Sequence, residues 1–236
     1  MTKKIRILDL CCGVGGCSIG YHEGFKRYGY EPIITGVDWI AQPNYPFKFI
    51  QNDALNYLRF FGHHYDVIHV SPPCQFYSST ASLHNNRYPD MIAKFRTLLR
   101  RFKALYIIEN VEGAKAHMID PIMICGLMVG LNMPRHRFFE VSEYVKQPIH
   151  PKHTLKAGKM GRRHIEGTYY PSPCGNFPDL ELTKQVMGLH NAKKKKEVAQ
   201  AIPPAYTSFL VNLLIQSSVL YSHVCSIKRE NRGLMS

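Results

Sequence analysis

The sequence is short of acid and nearly without tryptophan. Seventeen Asp and Glu stand against 30 Lys and Arg, and the single Trp is Trp39. The resulting net charge of +13 disfavours acidic protein partners and neutral metabolites and suits a polyanion. No apolar run approaches the roughly 18 residues that cross a bilayer, so no membrane span is expected. Nothing at the start resembles a secretory signal. Seven cysteines, two of them adjacent at Cys11 and Cys12, make a poor disulfide framework, and reduced thiols in a cytoplasmic setting are expected. The P-C-x-x-C half of the H-x-E and P-C-x-x-C pair of zinc-dependent base deaminases is missing as well. What is present is ordinary globular material: 236 residues, 45% of them apolar, enough for one domain or a large domain carrying a smaller one.

The most informative stretch runs from Ile68 to Ser79. An apolar run from Tyr65 to Val70 reads as a strand and stops against Pro72 and Pro73, which lack the N–H a sheet ladder needs. Cys74 follows at once. A lone cysteine is usually a small core residue. One held behind two prolines at the carboxyl end of a strand sits where open α/β sheets bind ligands, and it is a candidate nucleophile.

Upstream, Lys3 to Leu10 reads as a strand, Cys12 to Gly16 as a glycine turn, and Cys17 to about Tyr28 as a helix. That order lets backbone N–H groups approach a bound group, although a tight structural turn gives the same pattern. Ile33 to Val37 is a second strand ending in Asp38, which is placed for a ribose diol. Trp39 could stack on a flat ring, and Asp53 offers a carboxylate to an exocyclic amine at the far end of the same ligand. Together these elements point to a nucleoside-containing cofactor.

Further on, Pro89 to Phe102 reads as a helix with Lys94, Arg96, Arg100 and Arg101 on its wetter faces. Leu105 to Ile108 is a buried strand ending in Glu109, either a solvated or capping residue or a catalyst on the same sheet edge as Cys74. Ile122 to Met133 admits no assignment. Arg135 and Arg137 enter another strand and, two apart in extended chain, project to one face. From about Tyr144 to Asp179 the chain turns basic and poor in apolar runs, which suggests a small lobe over the active edge, with Tyr169 and Tyr170 stacking or packing it down. His150, His153, His164 and Cys174 within it lack the compact C-x₂₋₄-C spacing of zinc sites, so no metal is expected. Lys193 to Lys196 reads equally as a solvated helix face or a phosphate patch. A long apolar helix starts near Ala205 and runs to about Tyr221, and a basic tail follows Cys225.

Taken together, these motifs resemble those of the cytosine-5 DNA methyltransferase family. Asp9-Leu10-Cys11-Cys12-Gly13-Val14-Gly15-Gly16 resembles its methyl-donor motif, Ser71-Pro72-Pro73-Cys74-Gln75 its catalytic loop, and Glu109-Asn110-Val111 its acidic motif. Arg135-His136-Arg137 resembles the paired-arginine motif, and Ala199 to Pro204 the segment closing the cofactor side. The motifs come in family order over roughly residues 5 to 215. The resemblance implies an α/β, three-layer Rossmann-like fold dependent on S-adenosylmethionine, with a mostly parallel sheet and a small basic lobe. It divides the chain into a catalytic and cofactor-binding part (1–142), a target-recognition lobe (143–180), a return to the catalytic domain (181–224) and a flexible tail (225–236). Cofactor contacts are implied for Asp9, Cys11, Gly13, Gly15, Gly16, Asp38, Trp39, Asp53, Pro73 and Ala201. Cys74 would be the nucleophile, Glu109 the group holding ring N3, and Arg135 and Arg137 its cationic support.

The partner implied is duplex DNA with a flipped cytosine, bound by a monomer. The chain departs from the family at Cys11, where Phe is usual, at Ser71-Pro72 for Gly-Phe, and at Ala199-Gln200 for Gly-Asn. Its recognition region is also far shorter than is typical, which implies a short or weakly specified site and suits a compact phage or prophage enzyme of the restriction-modification type. Two other readings remain: the same chemistry on RNA, since a related branch methylates transfer RNA, or a nucleic-acid-binding homologue without turnover.

Overall fold

The computed structural model of the chain describes residues 2–77, 89–157, 169–170, 177 and 179–217. Thirteen main elements order the chain: β1 (Lys3–Leu10), α1 (Gly16–Arg27), β2 (Tyr30–Asp38), β3 (Lys48–Gln51), α2 (Ala54–Phe61), β4 (Val67–Val70), α3 (Met91–Leu99), β5 (Leu105–Asn110), β6 (Ile122–Cys125), β7 (His136–Val141), α4 (Leu180–Met187), α5 (Lys195–Gln200) and α6 (Pro204–Gln216). Seven strands form one sheet in the order β3-β2-β1-β4-β5-β7-β6. The first five are mutually parallel, and β7 inserts antiparallel between β5 and β6. Two short strands, β8 (Lys156–Ala157) and β9 (Tyr169–Tyr170), pair separately.

Strand pleating sends alternate side chains to opposite faces, and β1 shows the result. Ile5 and Ile7 join a core with Tyr21 and Phe25 of α1 and Tyr206, Leu210 and Leu214 of α6. Leu8 and Leu10 join the opposite core with Leu58 of α2 and Ile92, Phe95 and Leu99 of α3. The sheet is therefore buried on both faces, as its near-continuous apolar strands require. This is a mixed α/β Rossmann-like architecture, with helices on both sides of a mainly parallel sheet, as the resemblance implied.

Several local expectations change. Neither β3 nor α2 stands out in the sequence: β3 offers only Phe49 and Ile50 between polar residues, and α2 starts on the Asp53 cap, whose carboxylate accepts from Asn56 N at 2.8 Å. The unassigned stretch after Ile122 is β6 followed by a single 3₁₀ turn, Gly126–Val129. Arg96 does not face water. Its guanidinium forks onto Glu140 of β7 with two 2.6 Å hydrogen bonds and ties α3 to the sheet, because a buried carboxylate needs a charged partner. The Lys193–Lys196 run enters α5. By length and composition Lys195–Gln216 could cross a membrane. Instead, Ala201 to Pro203 interrupts it, and Tyr206, Leu210 and Leu214 of α6 are buried in the protein core. Ser79 to Tyr88, His164, Cys174 and the tail after Cys225 lie outside the described residues.

Candidate active site

The strand order turns back on itself between β1 and β4, and loops leaving the carboxyl ends of strands at such a point form the ligand crevice of open α/β sheets. The loops after β1, β2, β4 and β5 carry the expected site residues to that edge.

On the cofactor side, Asp9 is fully buried near the end of β1. One of its oxygens accepts from Ser18 Oγ at 2.5 Å, while Oδ1 is buried with no hydrogen-bond partner. Burial pushes its pKa up to about 7. A buried acceptor without a donor is costly, and the ammonium of an amino-acid moiety would satisfy it. Gly13 adopts φ +49°, and a side chain there would meet nothing within 4 Å, so that face of the turn is open. Its N–H donates to Asp38 Oδ2 at 3.0 Å, and Asp38 Oδ1 accepts from Ile40 N at 3.0 Å, so Asp38 also braces the turn it was expected to serve. Cys11 takes a left-handed φ of 58° in the same turn. Trp39 is 76% exposed, leaving an indole face for a ring. Asp53 gives one oxygen to its helix cap.

Gly15 and Gly16 behave differently from Gly13. A Cβ on Gly15 would lie 2.9 Å from Tyr45 and Pro46, and one on Gly16 only 2.0 Å from the Ile202 carbonyl. Gly16 is thus glycine so that α1 can press against the closing segment, which also contains Ala201 at the end of α5. Asn191, unremarked in the sequence, clamps the turn from outside by donating to Val14 O at 2.7 Å and Asn44 O at 2.9 Å. These features fit S-adenosylmethionine: an acceptor for its amino group, a turn without side-chain obstruction, and an exposed ring beside carboxylates.

The Cys74 loop leaves β4 under restraint. Ser71 N donates to Leu10 O at 3.2 Å, and the buried Pro72 offers its carbonyl to Asn110 Nδ2 at 3.0 Å. Pro73 and Cys74 beyond it are exposed, with Tyr77 N closing a turn onto Cys74 O at 3.0 Å. Asn110 is the residue after Glu109, so the loop is fastened to the strand end that carries the acid.

Glu109 is buried, and Arg137 Nε lies 3.2 Å from its Oε1. Burial raises the carboxyl's pKa, opposed by Arg137, by the Ser71 hydroxyl and by Arg135. Behind it runs a connection that sequence reading missed. Tyr21 OH meets His69 Nδ1 at 2.8 Å, and His69 Nε2 meets Ser71 Oγ at 2.9 Å. Burial drops the His69 pKa to about 3, so the ring is neutral and relays hydrogen bonds without charge. The available signal was a histidine inside the apolar run Val67-Ile68-His69-Val70.

The two arginines divide. Arg137 pairs with Glu109, whereas Arg135 Nη2 donates to Ala199 O at 3.1 Å and Arg135 Nη1 lies 3.9 Å from Met187 Sδ. Arg135 therefore holds the closing segment, and the departure at Ala199 is accommodated through a backbone carbonyl that any residue supplies.

The sequence model for C-5 cytosine-specific DNA methylases matches residues 5–121 of the chain. A search of curated proteins returns no match. Among solved structures, the Entamoeba histolytica methyltransferase EhMeth is similar with a TM-score of 0.59 at 12% identity, covering 91% of this chain and 99% of its own. The S. pombe Dnmt2 methyltransferase is similar with a TM-score of 0.54 at 12% identity and the same coverages. At that identity the likeness is one of fold, and it extends over almost the whole of each chain. In fold, crevice and sequence match together, this chain is similar to the S-adenosylmethionine-dependent cytosine-5 methyltransferases.

Proposed function

We propose that the chain methylates carbon 5 of cytosine in nucleic acid through a covalent adduct at Cys74, and that RNA suits its recognition lobe better than duplex DNA. The observation that carries the chemistry is the exposed Cys74 loop, fastened through Asn110 to the strand end where buried Glu109 pairs with Arg137.

Position 5 of cytosine is too weak a nucleophile to take a methyl group unaided. Addition of the Cys74 thiolate to carbon 6 forms a C–S bond and moves the ring electrons toward position 5. Glu109, its pKa raised by burial, donates a proton or hydrogen bond to ring N3 as that charge develops. Arg137 limits the shift and orients the carboxyl. The cofactor, when bound, supplies the electrophilic methyl group. Loss of the position-5 proton then expels the thiolate and restores the aromatic ring. Asp9, Gly13, Asp38, Trp39 and Asp53 hold the methyl donor in this reading.

The target-recognition lobe expected at residues 143–180 is small. Extracting a base from a duplex costs a few kcal/mol, which a small lobe has little surface to offset. Cytosines in RNA loops are already unstacked. Duplex DNA is the second reading, favoured by the description of the matching family. Radiolabelled methyl transfer to duplex DNA, single-stranded DNA and transfer RNA, with digestion to nucleosides, separates them. The proposal expects 5-methylcytidine in RNA from the native protein and none from Cys74→Ser. Label confined to duplex DNA would favour the second reading, and cofactor binding without any product would identify a non-catalytic homologue.

A further inference from the structure

Four side chains outside the active site converge at the far edge of the sheet. Cys125 ends β6 and His136 begins β7, and the antiparallel register places them directly opposite each other. His150 and His153 arrive from the segment after β7. One ligand atom from each of the four lies within 4.8 Å of every other. Cys125 Sγ is 3.5 Å from His153 Nε2, which is 3.2 Å from His150 Nε2. The fourth nitrogen, His136 Nε2, is buried and has no hydrogen-bond partner.

We propose that Cys125, His136, His150 and His153 bind a structural zinc ion. A tetrahedral ion with metal–nitrogen bonds of about 2.0–2.1 Å and a metal–sulfur bond of about 2.3 Å separates its ligand atoms by roughly 3.3–3.6 Å. The sulfur–nitrogen separation of 3.5 Å falls within that range, and the nitrogen–nitrogen separation of 3.2 Å lies just below it. One thiolate and three imidazoles form the mixed sulfur and nitrogen set that zinc accepts, and four protein ligands leave no open position for catalysis. The Met128 backbone N–H donates to Cys125 Sγ, a contact that stabilises a metal-bound thiolate. An ion also answers the unpartnered His136 nitrogen, which nothing else among the described residues does.

Alternation along β7 puts His136 on the opposite face from Arg135 and Arg137. An ion on His136 would therefore fasten the back of the strand whose front holds Glu109 and Ala199 O, while His150 and His153 tie down the root of the lobe. The site needs no assumption about the nucleic-acid substrate. Its ligands lie 11, 14 and 3 residues apart in the chain, a spacing with no compact pair of cysteines. Pairing between β6 and β7 is what brings the first two together.

The test is metal content and coordination. Full-length protein purified without chelators should carry about one zinc per chain by mass spectrometry. Cys125→Ser and His153→Ala should retain less than about a tenth of it against a competing chelator, and exposed His190→Ala should keep it all. Should the ligand variants fail to fold, X-ray absorption at the zinc edge of the native protein still decides, with one sulfur and three nitrogen neighbours expected. Native protein that takes up no zinc when refolded with it, zinc without a sulfur neighbour, or folded ligand variants that keep the metal would overturn the proposal.

Discussion

The two ends of the sheet are built in opposite ways. At the crevice, chemistry sits on residues adjacent in sequence: Pro72-Pro73-Cys74, Glu109-Asn110, Gly13 to Gly16. Each ends or follows a parallel strand, and the parallel register aligns these strand ends on one edge. At the far edge, β7 runs against its neighbour, and the side chains it serves come from distant points: Arg96 to Glu140, Arg135 to Ala199, Cys125 and His136 to His150 and His153. The matching family model stops at residue 121, just before β6. The difference teaches that a crevice can be written as short motifs, whereas the support that holds it is written as pairings.

Breaking the crevice should cost rate, and breaking the support should cost stability. Glu109→Gln should lower methyl transfer roughly 10²–10⁴-fold, the range for a lost acid–base group, with cofactor binding retained by equilibrium dialysis. Arg137→Ala leaves a buried carboxylate without its cation. It should destabilise the protein by about 3–5 kcal/mol in urea unfolding, while Arg137→Lys should recover part of that. The two glycines sharpen the contrast within one turn. Gly16→Ala drives a methyl group into the Ile202 carbonyl and should cost about 1–3 kcal/mol. Gly13→Ala meets no neighbour in the protein but must hold a side chain at φ +49°, which should cost about 1–2 kcal/mol, and it should also weaken cofactor affinity by calorimetry. Asp9 gives the smallest effect. Burial holds its folded pKa at about 7, above the roughly 3.9 of an unfolded chain. Its contribution to stability is therefore complete below about pH 4 and is lost as pH rises through 7. Urea midpoints between pH 5.5 and 8 should fall more in the native protein than in Asp9→Asn.

Much of the crevice was legible because prolines, glycines and strand-end acids carry local constraints that need no partner to be recognised. The limits were physical too. Gly16 reads as a cofactor residue until Ile202, far along the chain, is seen against it. Arg135 and Arg137 share a strand face as their spacing implies, yet their long side chains reach different partners. Arg96 looked solvated because Glu140 is remote in sequence. In the sequence, His150 and His153 stand nearest to His164 and Cys174 downstream, which lie outside the described residues. The companions in the structure are upstream, across a strand pair within a stretch that had resisted assignment.

The covalent role of Cys74 is tested most directly by trapping. An oligonucleotide whose target cytosine carries fluorine at position 5 blocks the final step, because fluorine cannot leave as a proton. With S-adenosylmethionine present, mass spectrometry of the digested complex should find one methylated base linked to the peptide containing Cys74, and none with Cys74→Ser. Methyl transfer to unmodified cytosine with no such adduct, or an adduct on another cysteine, would contradict the account.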